Sequence, residues 1–198
     1  MKQLILCTYL LMVGYVCFAQ HEKQMDYTAF YKTCDSLNKL KKNPELEKGL
    51  IQQLNQLDKK TPYHFFEEAL YFIEKNQFQE AAIFYQVGTI RQSYYIEVNS
   101  NYAPNDNWMV AESMKSVSGN QLLLYLQSNM DNYQTVLGLA IDYCEKYDYQ
   151  FSSKLNYLDK YQNAIKKLKD LQAEISKNKA QYKKTWEEER LRLQAKKV

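Results

Sequence analysis

The sequence predicts an all-α protein: a bundle or array of about six or seven helices that ends in one long helix. Three observations support this fold class. Gly and Pro are rare, at five and three residues in 198, whereas helix-favouring Leu, Lys, Gln and Glu are common. Apolar residues recur at spacings of three and four along most of the chain. The Asn- and Pro-containing stretches between these segments are short, so we expect short connections.

Residues 1–19 have the layout of a secretory signal peptide. A short basic start precedes an apolar core from Leu4 to Val16, and the small residue Ala19 follows. This core is too short to span a membrane as a helix. We therefore expect cleavage after Ala19 and a periplasmic or secreted protein without an integral membrane segment. A lipid anchor on Cys17 is the alternative, although Val16 occupies a position where bacterial lipoproteins usually have a small residue.

Four helices are expected between residues 26 and 98. The first, over 26–40, ends before Asn43-Pro44 because the residue before a proline avoids the helical region. The second has an apolar stripe formed by Leu46, Leu50, Leu54 and Leu57. Thr61 is the expected N-cap of the third helix, with Pro62 in its first turn. After a break at 75–77, the fourth helix extends over 78–98.

The sequence of the C-terminal half predicts one loop over 99–107 and three further helices. They cover 108–128, with a break near Ser118-Gly119, then 131–147, and finally 154–195. The last helix has a seam in a heptad-like rhythm, formed by Leu158, Tyr161, Ile165, Leu168, Ile175, Tyr182 and Trp186. Gln172 and Lys179 interrupt the seam, and the charged end from residue 187 onward is expected to project or fray.

The charge pattern divides the expected mature chain into a helical domain over 20–153 and a basic C-terminal helix over 154–198. The first region has 12 Lys and Arg against 17 Asp and Glu, and the second has 13 against 6. A basic tail on an acidic body predicts either an intramolecular match, which we favour, or an acidic partner. Nucleic acid is not expected as a partner, because Glu187-Glu188-Glu189 interrupts the basic end.

Residues 62–95 resemble the tetratricopeptide repeat, a helical hairpin of about 34 residues. Small residues stand at Ala69, Ala81 and Gly88, and aromatic residues at Phe65, Phe72, Phe78 and Tyr85. Glu68 and Ser93 depart from the pattern, and no second repeat follows. The resemblance implies one tetratricopeptide-like hairpin inside a larger helical domain.

The segment from Glu80 to Arg91 is similar to a motif of uncharacterised secreted bacterial helical proteins. The likeness includes the segments 117–119 and 140–143 and extends over about 70 residues in total. It implies an exported helical protein and carries no activity with it.

Motifs for metal, cofactor or catalytic chemistry are absent from the sequence. The two histidines, His21 and His64, are not spaced as metal ligands, and no phosphate-binding glycine loop occurs. Outside the expected signal peptide there are two cysteines, Cys34 and Cys144. They either form a disulfide in an oxidising compartment or remain buried thiols, the interpretation that we favour. We expect no cofactor and no metal.

Arg91 is the most informative candidate for a binding residue. We expect a groove between the hairpin 62–95 and the next pair of helices, lined by Tyr85, Arg91, Tyr94 and Tyr95. A structural ion pair of Arg91 with Glu112 or Asp142 is the simpler alternative.

The predicted function is that of an exported, non-enzymatic protein that binds a protein or peptide in this groove. Three alternatives are open. They are an immunity protein against a toxin delivered into the periplasm, an assembly factor acting through its last helix, and an enzyme in which Arg91 meets Glu68, Asp142 or Glu145. The sequence leaves the oligomeric state open.

Overall fold

The computed structural model describes residues 46–99 and 106–195, where it contains six α-helices and no β-strand. The all-α prediction is confirmed, including the long C-terminal helix. The helices are α1 (Lys48–Leu57), α2 (Tyr63–Glu74), α3 (Phe78–Val98), α4 (Asp106–Gln127), α5 (Met130–Lys146) and α6 (Leu158–Ala195), and a 3₁₀ turn (Lys154–Asn156) precedes α6. The expected signal peptide, the helix predicted over 26–40 and Cys34 lie outside the described residues.

The helices α2 and α3 form a hairpin whose tight turn contains Asn76 with a φ of 60°. Asn adopts this left-handed conformation more readily than most residues, so α2 ends at the predicted break. The two helices pack closely, since a Cβ built on Gly88 would lie 2.6 Å from the Cβ of Phe65. Phe72 and Phe84 stack across the same contact, with ring centroids 5.2 Å apart.

The start of α2 differs from the predicted cap. The helix begins at Tyr63 after Pro62, and no side chain caps it. Thr61 Oγ1 is buried and has no hydrogen-bond partner among the residues described. The backbone of the turn replaces the cap, because the amides of His64 and Phe65 donate to the carbonyls of Thr61 and Pro62.

The central helix is α3, which packs against α2, α4, α5 and α6. Its buried residues lie on all sides of the helix and include Phe84, Ile90, Arg91 and Tyr94. A helix without a polar face is stable only inside the core of a protein. Side chains of α3 therefore reach both polar sites described below.

The helix α4 is continuous from Asp106 to Gln127, so the predicted break near Ser118-Gly119 is wrong. Ser118 is buried, and its hydroxyl donates to the carbonyl of Met114 at 2.7 Å, which satisfies it inside the helix. Gly119 lies where Tyr85 of α3 meets α4. Glycine at this position allows a close contact and does not end the helix.

The helix α6 runs antiparallel to α5 and is connected to it by ion pairs. Lys169 pairs with Glu145 at 2.6 Å, and Lys179 and Lys183 both pair with Asp131. The basic C-terminal region thus neutralises acidic groups of the same chain, which is the intramolecular match that the charge pattern favours.

The predicted seam of α6 is buried at Tyr161, Ile165, Leu168, Ile175 and Trp186. Leu158 is 53 % exposed and does not belong to the seam. Gln172 interrupts the apolar pattern because its side-chain amide donates to the carbonyl of Gln134 at 3.0 Å. None of the described helices combines the length and apolarity that a membrane span requires.

The contact between α5 and α6 should depend on pH through Asp131. The hydrogen bond from Lys179 and the charges of Lys179 and Lys183 lower the pKa of this carboxyl. An acid with a lowered pKa stabilises the fold above its unfolded-state pKa, and this stabilisation is lost as pH falls through the folded-state pKa. We expect Asp131→Asn to lower the free energy of unfolding by up to ~1 kcal/mol at neutral pH and not at about pH 2.

Urea unfolding at both pH values measures this difference. Glu97→Gln is the control, since Glu97 is exposed and its side chain forms no ion pair with the described residues. An equal effect of Asp131→Asn at both pH values would contradict the prediction.

Candidate functional site

A cavity of about 310 Å³ lies between α3, α4 and the beginning of α5. Its lining combines leucines with polar side chains that include a carboxylate, an ammonium group and two phenols. The lining residues are Tyr85, Gln86, Glu112, Lys115, Ser116, Gly119, Asn120, Leu122, Leu123, Leu126 and Tyr133. Small-molecule sites in proteins have volumes of about 300–1,000 Å³ and a similar mixture of apolar and polar walls.

Tyr85 extends from α3 until its hydroxyl lies against the backbone of α4. A Cβ built on Gly119 would be 2.6 Å from the Tyr85 hydroxyl oxygen, closer than real Cβ contacts allow. Phe66 supports the ring from the other helix of the hairpin, edge to face, with centroids 5.7 Å apart. Gly119 therefore makes room for the tyrosine, and any larger residue there would displace its ring.

Glu112 and Lys115 place two opposite charges at the cavity, one helical turn apart on α4. The side-chain amide of Gln92 donates to Glu112 Oε1 at 3.0 Å. Gln92 is itself buried, and its Oε1 has no partner among the residues described. Neither Glu112 nor Lys115 forms an ion pair within residues 46–99 and 106–195. Both charges are thus available to a ligand.

Two tyrosines of the cavity are neutral hydrogen-bonding groups. Burial raises the pKa of Tyr85, and the Glu112 carboxylate raises it further. Burial also raises the pKa of Tyr133 to about 12, with contributions from Tyr85 and Tyr182. A neutral phenol both donates and accepts hydrogen bonds, and its ring face attracts cations.

The outer face of α4 beside the cavity carries exposed apolar side chains. Met109, Val110, Val117 and Leu123 are 60 %, 44 %, 50 % and 45 % exposed. Lys115 is the only charged residue in the sequence from 113 to 127. Exposed apolar side chains on one helix are candidates for contact with a partner.

A second polar cluster is fully buried where the end of α1 meets α3, α5 and α6. Arg91 Nε and Nη2 donate to the two carboxylate oxygens of Asp58 at 2.8 Å and 3.0 Å. The two side chains are 0 % and 1 % exposed. Arg91 is thus in a structural ion pair, but the predicted partners Glu112 and Asp142 are wrong. Glu112 binds Gln92 instead, and Asp142 is exposed.

Two tyrosines complete the hydrogen bonds of this cluster. The Tyr143 hydroxyl donates to Asp58 Oδ2 at 2.6 Å. The Tyr161 hydroxyl accepts from Arg91 Nη1 and donates to the carbonyl of Cys144 at 2.8 Å. The cluster therefore connects four segments of the chain through satisfied polar contacts.

The titratable groups of the cluster have pKa values that follow from burial. Burial raises the pKa of the Asp58 carboxyl, whereas Arg91 and the hydrogen bond from Tyr143 oppose that rise. Burial also raises the pKa of the Cys144 thiol to about 11. Cys144 is fully buried and forms no disulfide with the described residues, whereas its predicted alternative partner Cys34 lies outside them.

The four residues predicted to line one groove do not share a site. Tyr85 lines the cavity, whereas Arg91 and Tyr94 are 0 % exposed in the core. The Tyr94 hydroxyl donates to the carbonyl of Ser153 at 2.8 Å. Tyr95 is half-buried and packs on Phe151, with ring centroids 5.4 Å apart. Tyr85 and Tyr94 are nine residues apart, or two and a half helical turns, and so lie on opposite faces of α3.

Sequence reasoning missed Asp58, Tyr133 and the role of Gly119. Asp58 stands beside Lys59-Lys60 and has the appearance of an exposed helix end. Gly119 did give a signal, since an isolated glycine in a helical pattern marks either a break or a close contact. Only the position of Tyr85 decides between these two meanings.

In the part of the chain that the structure describes, no cluster of three or more His, Cys, Asp or Glu side chains could hold a metal ion. His64 instead lies 3.0 Å from the carboxylate of Glu67, three residues further along α2. No protein-family model, no curated protein and no solved structure matches the chain.

Proposed function

We propose that the protein is an exported, non-enzymatic binding protein that recognises a protein or peptide. Its binding surface is the cavity together with the exposed face of α4. The observation that carries this proposal is the presence of four exposed apolar residues on α4, Met109, Val110, Val117 and Leu123, together with a cavity whose charged side chains form no ion pair with the described residues. A helical groove next to an apolar face suits peptide and protein partners.

The geometry around Arg91 supports binding over catalysis. The enzyme alternative requires a pocket where Arg91 meets Glu68, Asp142 or Glu145. Arg91 is completely buried, both of its terminal nitrogens and its Nε are hydrogen-bonded, and it does not line the cavity. A guanidinium in this environment has no route to a substrate. The signal-peptide pattern of residues 1–19 supports the exported location.

The test is capture of partners from the periplasm and envelope of the source cells. The whole protein, expressed with its own N-terminus and a C-terminal tag, is compared with the double variant Val117→Asp, Leu123→Asp. Charges on the exposed face should disrupt an apolar contact without disturbing the core. We expect one partner at near-equal stoichiometry with wild type and at least about tenfold less with the variant, a loss of ~1.4 kcal/mol or more.

The matched control is Leu155→Asp, Leu191→Asp, which introduces the same charges at leucines that are 77 % and 59 % exposed away from the cavity. Circular dichroism verifies that both variants fold. Equal recovery of the partner with the two variants would exclude the α4 face as its site. Absence of any specific partner would count against the proposed function itself.

A further inference from the structure

The size of the cavity limits the part of a ligand that can enter it. Its volume is about 310 Å³, at the lower end of the range of small-molecule sites. A small molecule or the end of a peptide chain is therefore the kind of ligand that this cavity suits.

The Glu112 carboxylate and the aromatic rings favour a cation in one part of the cavity, whereas Lys115 favours a carbonyl or carboxylate. Glu112 supplies a carboxylate with no cationic partner among the described residues, and one of its oxygens is fixed by Gln92 at 3.0 Å. Tyr85 and Tyr133 border the same space with neutral phenol rings. A carboxylate beside aromatic rings is the arrangement that binds ammonium groups.

The rest of the lining suits an apolar side chain of the ligand and, next to it, a carbonyl or carboxylate group. Leu122 and Leu126 are 0 % and 1 % exposed and form apolar wall. Asn120 is exposed and Lys115 is half-buried, and both line the cavity from α4. An amide donor and an ammonium group can bind the carbonyl or carboxylate that follows the first residue of a ligand.

We propose that the cavity binds an α-ammonium group together with the adjacent apolar side chain, as found in a free apolar amino acid or at the N-terminus of a peptide. Glu112 binds the ammonium group, the leucines bind the side chain, and Lys115 faces the carbonyl end. This inference rests on the proposed function in assigning the cavity to binding, and it names the part of the partner that enters.

Calorimetric titration of the whole protein with four small ligands tests the inference. Leucinamide and the peptide Leu-Ala-Ala carry the ammonium group, N-acetyl-leucinamide lacks it, and leucine adds a free carboxylate. We expect the acetylated ligand to bind at least about tenfold more weakly than leucinamide. If leucine binds best and Lys115→Met removes that advantage, the ligand is a free amino acid. If Leu-Ala-Ala binds best, the ligand is a peptide terminus.

Two variants probe the cavity directly. Glu112→Gln retains an acceptor for Gln92 but removes the charge, and it should weaken leucinamide binding at least about tenfold. Glu97→Gln removes an exposed charge elsewhere on α3 and should leave binding unchanged. Gly119→Ala should also weaken binding, because its Cβ would displace the Tyr85 hydroxyl.

Equal binding of acetylated and free ligands, or no binding of any of the four, would overturn the inference. Either result leaves the capture experiment unaffected, because the α4 face can bind a partner without an occupied cavity. Loss of capture with the α4 variant combined with no binding of the small ligands would restrict the site to the outer face of α4.

Discussion

Replacing Asp58 with Ala should lower the free energy of unfolding by about 3–5 kcal/mol, because it leaves the Arg91 guanidinium buried without a counter-charge. The wild-type carboxylate accepts two hydrogen bonds from Arg91 and one from Tyr143. Arg91 Nε would lose its acceptor where water has little access, whereas Arg91 Nη2 would keep the carbonyl of Tyr147 at 3.3 Å and the Tyr143 hydroxyl would keep Asn55 Oδ1 at 2.8 Å. Domains are stable by only ~5–15 kcal/mol in total, so this single substitution should remove a large part of the stability.

Urea unfolding followed by circular dichroism measures this loss. Asp170→Ala is the matched control, since it removes an aspartate from an exposed ion pair with Lys166 in which the side chains are 62 % and 68 % exposed. Exposed pairs of this spacing contribute about 0.3–0.5 kcal/mol. A loss below about 1 kcal/mol for Asp58→Ala would show that the buried pair contributes no more than an ordinary surface contact.

Removing the charges of both Asp58 and Arg91 should lower the free energy of unfolding much less than removing that of Asp58 alone. In the double variant Asp58→Leu, Arg91→Met, no buried charge lacks a partner, and such replacements are often neutral or stabilising. The double variant should therefore regain most of the stability that Asp58→Ala loses. Since neither residue lines the cavity, the double variant should still bind leucinamide, which separates the roles of the two sites.

Replacing Gly88 with Ala should destabilise the protein by about 1–3 kcal/mol, the usual cost of overpacking a core. The added Cβ would lie 2.6 Å from the Cβ of Phe65 and 3.2 Å from the ring of Phe66. The Phe65 Cβ is fixed to its backbone, so α2 and α3 would have to move apart. This cost exceeds the gain of at most ~1 kcal/mol that Ala brings to a helix interior.

The control is Gly49→Ala in α1, where a built Cβ meets nothing within 4 Å. Here only the helix propensity acts, and the free energy of unfolding should rise by up to ~1 kcal/mol. The two glycine variants should therefore change stability in opposite directions in the same urea experiment. A stabilising effect of Gly88→Ala would contradict the prediction, because it would show that α2 and α3 can move apart without a loss of stability.

The helices could be predicted from the sequence because their start and stop signals are local. The prediction of a helix over 78–98 matches α3, and that over 131–147 differs from α5 by one residue at each end. Asn76 ends α2 by adopting a left-handed conformation, and Asn129 caps α5 by accepting from the amide of Asn132. Such effects depend on a few neighbouring residues, so a reader of the sequence can evaluate them.

The sites could not be predicted in the same way because their residues are distant in sequence. Asp58 and Arg91 are 33 residues apart, and Arg91 and Tyr161 are 70 apart. Each of these side chains is also common on helix surfaces, and nothing in its local pattern shows that it is buried. Glu112, a predicted partner of Arg91, instead lies at the cavity with Gln92.

The sequence by itself determined the all-α class, the approximate positions of the described helices and most of the apolar seam of α6, because helical periodicity and chain-breaking residues act over a few residues. Only the tertiary structure decided which neighbour each side chain of α3 contacts, because α3 has buried residues on all sides and its orientation follows from the four helices packed on it. That orientation places Tyr85 in the cavity and Arg91 on Asp58.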